Sequence, residues 1–273
     1  MKKAIISLAV AAVSAVSVTA FAACDNSDKI YVDTNAFFAP FEYYDGDRIV
    51  GVDVDIMNLV GEKLGKKVVF ENTEFGPIID NVSSGKKYDC GAAGITITEE
   101  RQSKVDFSIP YYTSVQYVIY KGDTLSVDGT AADGTEYVLW SSLAGKKIGV
   151  QTETTGDIYV NGEITGDGFD GVLKDSGAKC VQYDNAQIAV DAIGSGQIDT
   201  VVVDMLPAQY MVGKNDSLHC YALYYSAEKA TEEQYAICVT KGNTELLNAI
   251  NGVLEELGKD GIDKLVAKHL GLN

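Results

Sequence analysis

The sequence predicts an α/β protein of two lobes, and three observations predict it. Apolar runs of strand length alternate with helical patterns, which implies parallel sheets covered on both faces. The alternation runs twice, because a stretch rich in Gly, Asp, Ser and Thr at residues 122–135 interrupts it. Removing a leader of residues 1–23 leaves about 250 residues, room for one large or two small domains.

The first series opens with a strand at residues 30–34. A helix follows at 53–64, with Ile56, Leu59, Val60 and Leu64 on one face and Gly65 as its stop. A strand at 68–72 leads to Pro77, which opens a short helix through Ile78, Ile79 and Val82 that ends at Gly85. A strand at 88–93 precedes a helix capped by Thr98, and residues 114–120 are extended. The second series begins with a strand at 147–150 that ends in the turn QTETTGD. Val181 leads to a helix at 186–193; a strand at 200–203 ends at Asp204, and Pro207 opens another helix. After a strand at 235–239, Thr244 caps a helix with Leu247, Ile250, Leu254 and Leu257 inward, and Asp260 caps the last one. Residues 160–174 are rich in Gly and Asp and read as a polar hairpin or loop insertion; their spacing does not match a calcium-binding EF-hand.

Lys2, Lys3, an apolar run at 5–18 and Ala20-Phe21-Ala22 make an export signal, too short and too weakly apolar for a membrane span. Phe21-Ala22-Ala23-Cys24 resembles a bacterial lipobox, with Phe21 where an aliphatic residue is usual. Cys24 is thus a lipidation candidate, and the protein is expected in the periplasm or anchored by lipid at the cell surface. The net charge is −17, and −19 without residues 1–23, which hold two lysines and no acids. Nonspecific binding to nucleic acid or anionic membrane is excluded at that charge. Cys90, Cys180, Cys220 and Cys238 lack metal-binding spacing, and with only His219 and His269 no metal site, cofactor or Ser-His-Asp arrangement is expected. Export permits disulfides, Cys90 with Cys238 and Cys180 with Cys220 falling within lobes, but sequence leaves the connectivity open.

Arg101 carries the functional argument. A cation in the first turn of a helix opposes the helix dipole. On its own it would pair with Glu99, Glu100 or Asp106, but its planar fork also suits a carboxylate. Three turns, AAGITITEER, VQTETTGD and VVVDMLPA, each follow a strand and precede a helix, where open α/β sheets bind ligands. Arg101 and the Thr155 N–H are suited to a carboxylate, and Asp204, Thr96 and the Gly94 carbonyl to an ammonium, a set complementary to a zwitterion. Phe38 and Phe75 are placed to flank a side chain. Alone, the two phenylalanines would be core, Asp204 a helix cap, and the threonines turn residues.

From residue 29 to 271 the chain resembles the solute-binding proteins of polar amino-acid ABC importers. The motifs are APFEY before GVDVDI, KYDCGAAGITITEER, VDFSIPYY, GKKIGVQTETTGD, VVVD and LLNAINGVLEELGKDG. The resemblance implies two α/β lobes joined by two hinge strands that close on a free L-amino acid, with a membrane ABC permease as partner and no catalysis. The lobes would comprise 24–112 with 234–273, and 113–233, in a monomer. By position it implies that Phe38 and Phe75 flank the ligand side chain and that Gly94, Thr96 and Arg101 meet its α-groups. Gln151, Thr155 and Asp204 would reach it from the other lobe. Asn35 falls where several members carry an aspartate that touches the side chain; Glu153 replaces a glycine common in that turn. An amide at Asn35 favours a neutral polar ligand such as glutamine over a cationic one, although two phenylalanine rings would also attract a cation. Two other classes share the pattern: dehydratases of prephenate-like acids, for which Asp204 is the candidate proton donor, and ligand-sensing modules.

Overall fold

A computed structural model describes residues 28–272; the leader and Cys24 lie outside the described residues. Lys29–Thr34, Lys67–Asn72 and Cys90–Gly91 run parallel in a five-stranded sheet. Its remaining strands, Cys238–Thr240 and Val105–Phe107, are antiparallel neighbours. A strand from near the end of the chain thus completes a sheet begun at residue 29. Alternation along Lys29–Thr34 sends Ile30 and Val32 to one face, into a core with Ile56, Met57 and Val60 of the helix Val52–Leu64 and Ile250, Val253 and Leu254 of Thr244–Leu270. Tyr31 packs toward the opposite core, built on Ile78, Val82, Ile95 and Val105.

The second sheet has parallel strands Lys179–Tyr183, Lys147–Gln151 and Thr200–Asp204. Antiparallel to Thr200–Asp204 runs the ten-residue strand Tyr112–Lys121, followed by Leu218–Ser226, Glu136–Leu139 and Gly129–Thr130. The chain enters this sheet on Tyr112–Lys121 and leaves on Glu232–Tyr235. These crossover strands pair with each other, Glu233 opposite Ser114 and Tyr235 opposite Tyr112. The result is two α/β lobes, each with its own core, joined by two paired strands.

Several local expectations need correction. Residues 160–174 are not all insertion: Thr155–Thr165 is a helix, capped by the Thr154 hydroxyl accepting from the Asp157 N–H at 3.3 Å. Its polar sequence hides buried Val160, and Gly162 is there because a Cβ would run into the Phe169 ring. The helix near Pro207 begins at Met205, which puts Pro207 in its first turn, where proline is tolerated. Asn243, not Thr244, caps the helix Thr244–Leu270, and Gly258 (φ 55°, ψ −173°) breaks that helix two residues before Asp260. The 122–135 stretch contains the strand Gly129–Thr130, and the strands Glu136–Leu139 and Leu218–Ser226 and a three-stranded hairpin over 37–50 went unpredicted. Cys90, Cys180, Cys220 and Cys238 are free.

Candidate functional site

The turn after Cys90–Gly91 is shaped by Gly94, whose φ of 54° is left-handed and whose missing Cβ makes room for the Phe38 ring. The Gly94 N–H donates to Asp53 Oδ2 at 2.9 Å, locking the turn to a buried acid. Four residues on, Thr98 caps the helix Glu99–Lys104 as expected, accepting the Arg101 N–H at 3.2 Å. The Arg101 side chain folds back and is 8% exposed. Its Nη1 donates to the Thr96 carbonyl at 2.9 Å, its Nη2 crosses to the Glu153 carbonyl of the other lobe at 3.1 Å, and the guanidinium lies 5.4 Å from the Phe75 ring centre. Among the described residues it makes no ion pair, so the surface pairing with Glu99, Glu100 or Asp106 does not form. Burial pulls its pKa down, against the pull of Glu233 and Asp204.

From the second lobe, Gln151 Nε2 donates to Asn35 Oδ1 at 2.9 Å, and Asn35 Nδ2 donates to the Thr73 carbonyl at 2.6 Å. Glu153 has the φ of 63° that a glycine would adopt freely, so the turn keeps its glycine-like shape at a cost in strain. Asp204 stands at the N-cap position of Met205–Val212 but makes no capping bond. Its Oδ1 accepts Gln116 Nε2 at 2.7 Å and its Oδ2 accepts the Tyr235 hydroxyl.

Between the lobes sits a residue that sequence reasoning missed. Glu233, on a crossover strand and 5% exposed, accepts the Thr96 hydroxyl at 2.7 Å and the Thr155 hydroxyl at 2.6 Å on one carboxylate oxygen. Gln116, on the partner strand, donates to its other oxygen. The sequence TEEQYA shows no apolar alternation, so nothing marked which of its acids turns inward. Burial, and next the like charge of Glu233, push the Asp204 carboxyl far above the ordinary range. Glu42 is raised the same way by complete burial and by Asp53 and Asp204, and neither of its oxygens has a partner. Burial lifts Asp53 to about 6.

Asn35, Phe38, Phe75, Gly94, Thr96, Gln151, Thr155 and Asp204 all line one small, nearly closed cavity of about 20 Å³. Arg101 lies just outside it, on a larger and more open groove of about 550 Å³ that shares Phe75. One cavity therefore offers a carboxylate and two hydroxyls between two aromatic rings, with Glu233 behind the hydroxyls and a buried guanidinium beside it. Among the described residues no cluster of three or more His, Cys, Asp or Glu is arranged to hold a metal.

The model of the bacterial extracellular solute-binding proteins, family 3, matches residues 30–272. A putative ABC transporter arginine-binding protein 2 of Escherichia coli (strain K12) is 31% identical over 96% of this chain and 95% of its own. A probable histidine-binding protein of Neisseria gonorrhoeae is 29% identical over 89% of this chain and 84% of its own. The solved structure of an ancestral arginine-binding protein bound to arginine superposes with a TM-score of 0.72 at 36% identity, covering 88% of this chain and 97% of the other.

Proposed function

Because the chain belongs to the bacterial extracellular solute-binding proteins of family 3, we propose that it captures a free L-amino acid outside the cytoplasm and hands it to the membrane permease of an ABC importer. The observation that carries this reading is the cavity between the lobes, lined by Asp204, with Arg101 buried beside it on the adjoining groove. Arg101 takes the α-carboxylate by exchanging its two carbonyl partners for a bidentate pair. Asp204 takes the α-ammonium, and Phe38 and Phe75 enclose the side chain. Lobe one comprises 24–112 and 234–273, lobe two 113–233, and the cleft opens by bending at the paired crossover strands. The protein works as a monomer, either anchored at the cell surface through lipidated Cys24 or free in the periplasm.

For the ligand side chain, Asn35 raised the expectation of a neutral amino acid such as glutamine. Its amide is engaged at both ends, by Gln151 and by the Thr73 carbonyl, which leaves it little freedom to select. The names of the relatives point instead to arginine and histidine. Isothermal titration with glutamine, histidine, cystine, arginine and glutamate tests both levels. Binding of any free amino acid, with compaction by small-angle scattering, supports the capture reading; no binding across the panel overturns it. Arginine or histidine binding tighter than glutamine retires the Asn35 argument.

A further inference from the structure

The wall of the cavity in front of Glu233 has an unusual balance of donors and acceptors. A hydroxyl has one proton to donate. Thr96 and Thr155 both spend theirs on the same Glu233 oxygen, at 2.7 and 2.6 Å, and so turn only lone pairs toward the cavity. The side-chain nitrogen of Gln116 is likewise spent on Glu233 and Asp204. The Tyr235 hydroxyl is spent on Asp204. What remains is a surface of acceptors, backed by two carboxylates, that calls for an occupant rich in N–H groups and positive charge.

The charges agree with the hydrogen bonds. Arg101 is the one basic side chain lining the cavity or its adjoining groove that is buried. Against it stand Asp204 and Glu233, each 5% exposed, with Glu42 and Asp53 fully enclosed behind. A zwitterion supplies a carboxylate for Arg101 and one ammonium for two acids, enough for a single ionised carboxylate; both ionise together only where a second positive group meets them. Buried charge without a counter-charge is costly. A ligand with one further positive group removes the deficit.

Resting on the capture reading above, we propose that Glu233 is a specificity-determining residue: with Asp204 it forms a two-carboxylate wall that selects a ligand whose positive groups outnumber its negative ones. The neutral ligand suggested by Asn35 is then the disfavoured class.

L-arginine and L-citrulline test this, because they share a shape and differ by one charge. By isothermal titration at neutral pH the wild-type protein is expected to bind arginine at least about tenfold tighter than citrulline. Glu233→Gln keeps the volume and one acceptor oxygen. It is expected to weaken arginine and spare citrulline, bringing the ratio within about threefold. Arginine binding no tighter than citrulline to the wild type overturns the proposal without any variant, so a failure of Glu233→Gln to fold does not protect it. An unchanged ratio in Glu233→Gln, or an equal loss of both ligands, also overturns it and leaves Glu233 a structural role. If the wild type binds no amino acid, the capture reading itself has failed, a result distinct from binding without charge preference.

Discussion

The two ends of the cleft are built on opposite plans. At the Arg101 end a single buried cation is held by two backbone carbonyls and an aromatic face, all neutral. At the other end two buried carboxylates share one amide donor and take three hydroxyls between them. Neither end is paired with the other, although both are removed from water. Charged groups satisfied only by neutral partners are oriented but not neutralised, the state in which a site meets a ligand without first having to break an ion pair. The difference lies in count: one cation at the first end, two carboxyl groups at the second, where burial and then the like charge of Glu233 push Asp204 toward its neutral form.

Removing the single charge breaks the comparison most completely. Arg101→Ala is expected to leave a folded protein, judged by circular dichroism, and to weaken amino-acid binding by about 100-fold or more, on the order of 3 kcal/mol for a desolvated bidentate contact. Binding within about threefold of wild type would show that the carbonyl-held guanidinium is structural. At the crowded end, Asp204→Asn should act in two directions. Binding weakens, by about tenfold or more, because the α-ammonium loses a carboxylate. Stability at neutral pH rises, because a buried carboxyl beside Glu233 no longer has to ionise. A thermal midpoint below that of wild type would mean that the second carboxylate is compensated by something other than ligand.

The two ends also differed in how far the sequence exposed them. Arg101 was legible because it violates a local rule, a cation in a helix's first turn, and local rules can be read from neighbours. Asp204 was legible from its place at a strand end ahead of a helix. Glu233 was not, because its importance comes from the pairing of two strands far apart in the chain, with Ser114 opposite Glu233, and no local pattern records that pairing. The strand–helix alternation of both lobes was clear for the same reason that Arg101 was. The strands Glu136–Leu139 and Leu218–Ser226 escaped because neither belongs to a strand–helix–strand unit of the alternation that was read. The helix Thr155–Thr165 was cut short because its glycines and acids look like loop.

Glu153 sharpens the contrast at smaller scale. It provides the carbonyl that crosses to Arg101 from a left-handed backbone that costs a non-glycine residue about 1 kcal/mol. Glu153→Gly should therefore raise stability by up to about 1 kcal/mol, less the entropy glycine adds to the unfolded chain, measured by urea unfolding. Binding should hold, since the carbonyl stays. A loss of affinity with unchanged stability would assign the Glu153 side chain, which lies over Gly76 across the cleft, a part in ligand selection.

The acid behind the cavity touches stability rather than the ligand. Asp53 is 1% exposed, its Oδ2 accepting the Gly94 N–H at 2.9 Å and its Oδ1 the Tyr111 hydroxyl at 2.5 Å. Burial outweighs those two bonds and lifts its pKa from 3.8 to about 6. Between those values the folded protein keeps a proton that the unfolded chain has released, so stability falls as pH rises. The contribution is fully present below 3.8 and is lost as pH climbs through about 6, a change of about 3 kcal/mol for a shift of this size. Asp53→Asn is uncharged throughout and keeps an oxygen for Gly94, while its NH₂ donates to the Tyr111 oxygen. The two proteins should then unfold alike near pH 4, and the variant should be the more stable near pH 8 by up to that amount. Taking the difference between them cancels the titration of every other group. If that difference instead favours the wild type as pH rises, Asp53 is charged and compensated in the fold, and the acidic side of the cleft holds a counter-charge of its own.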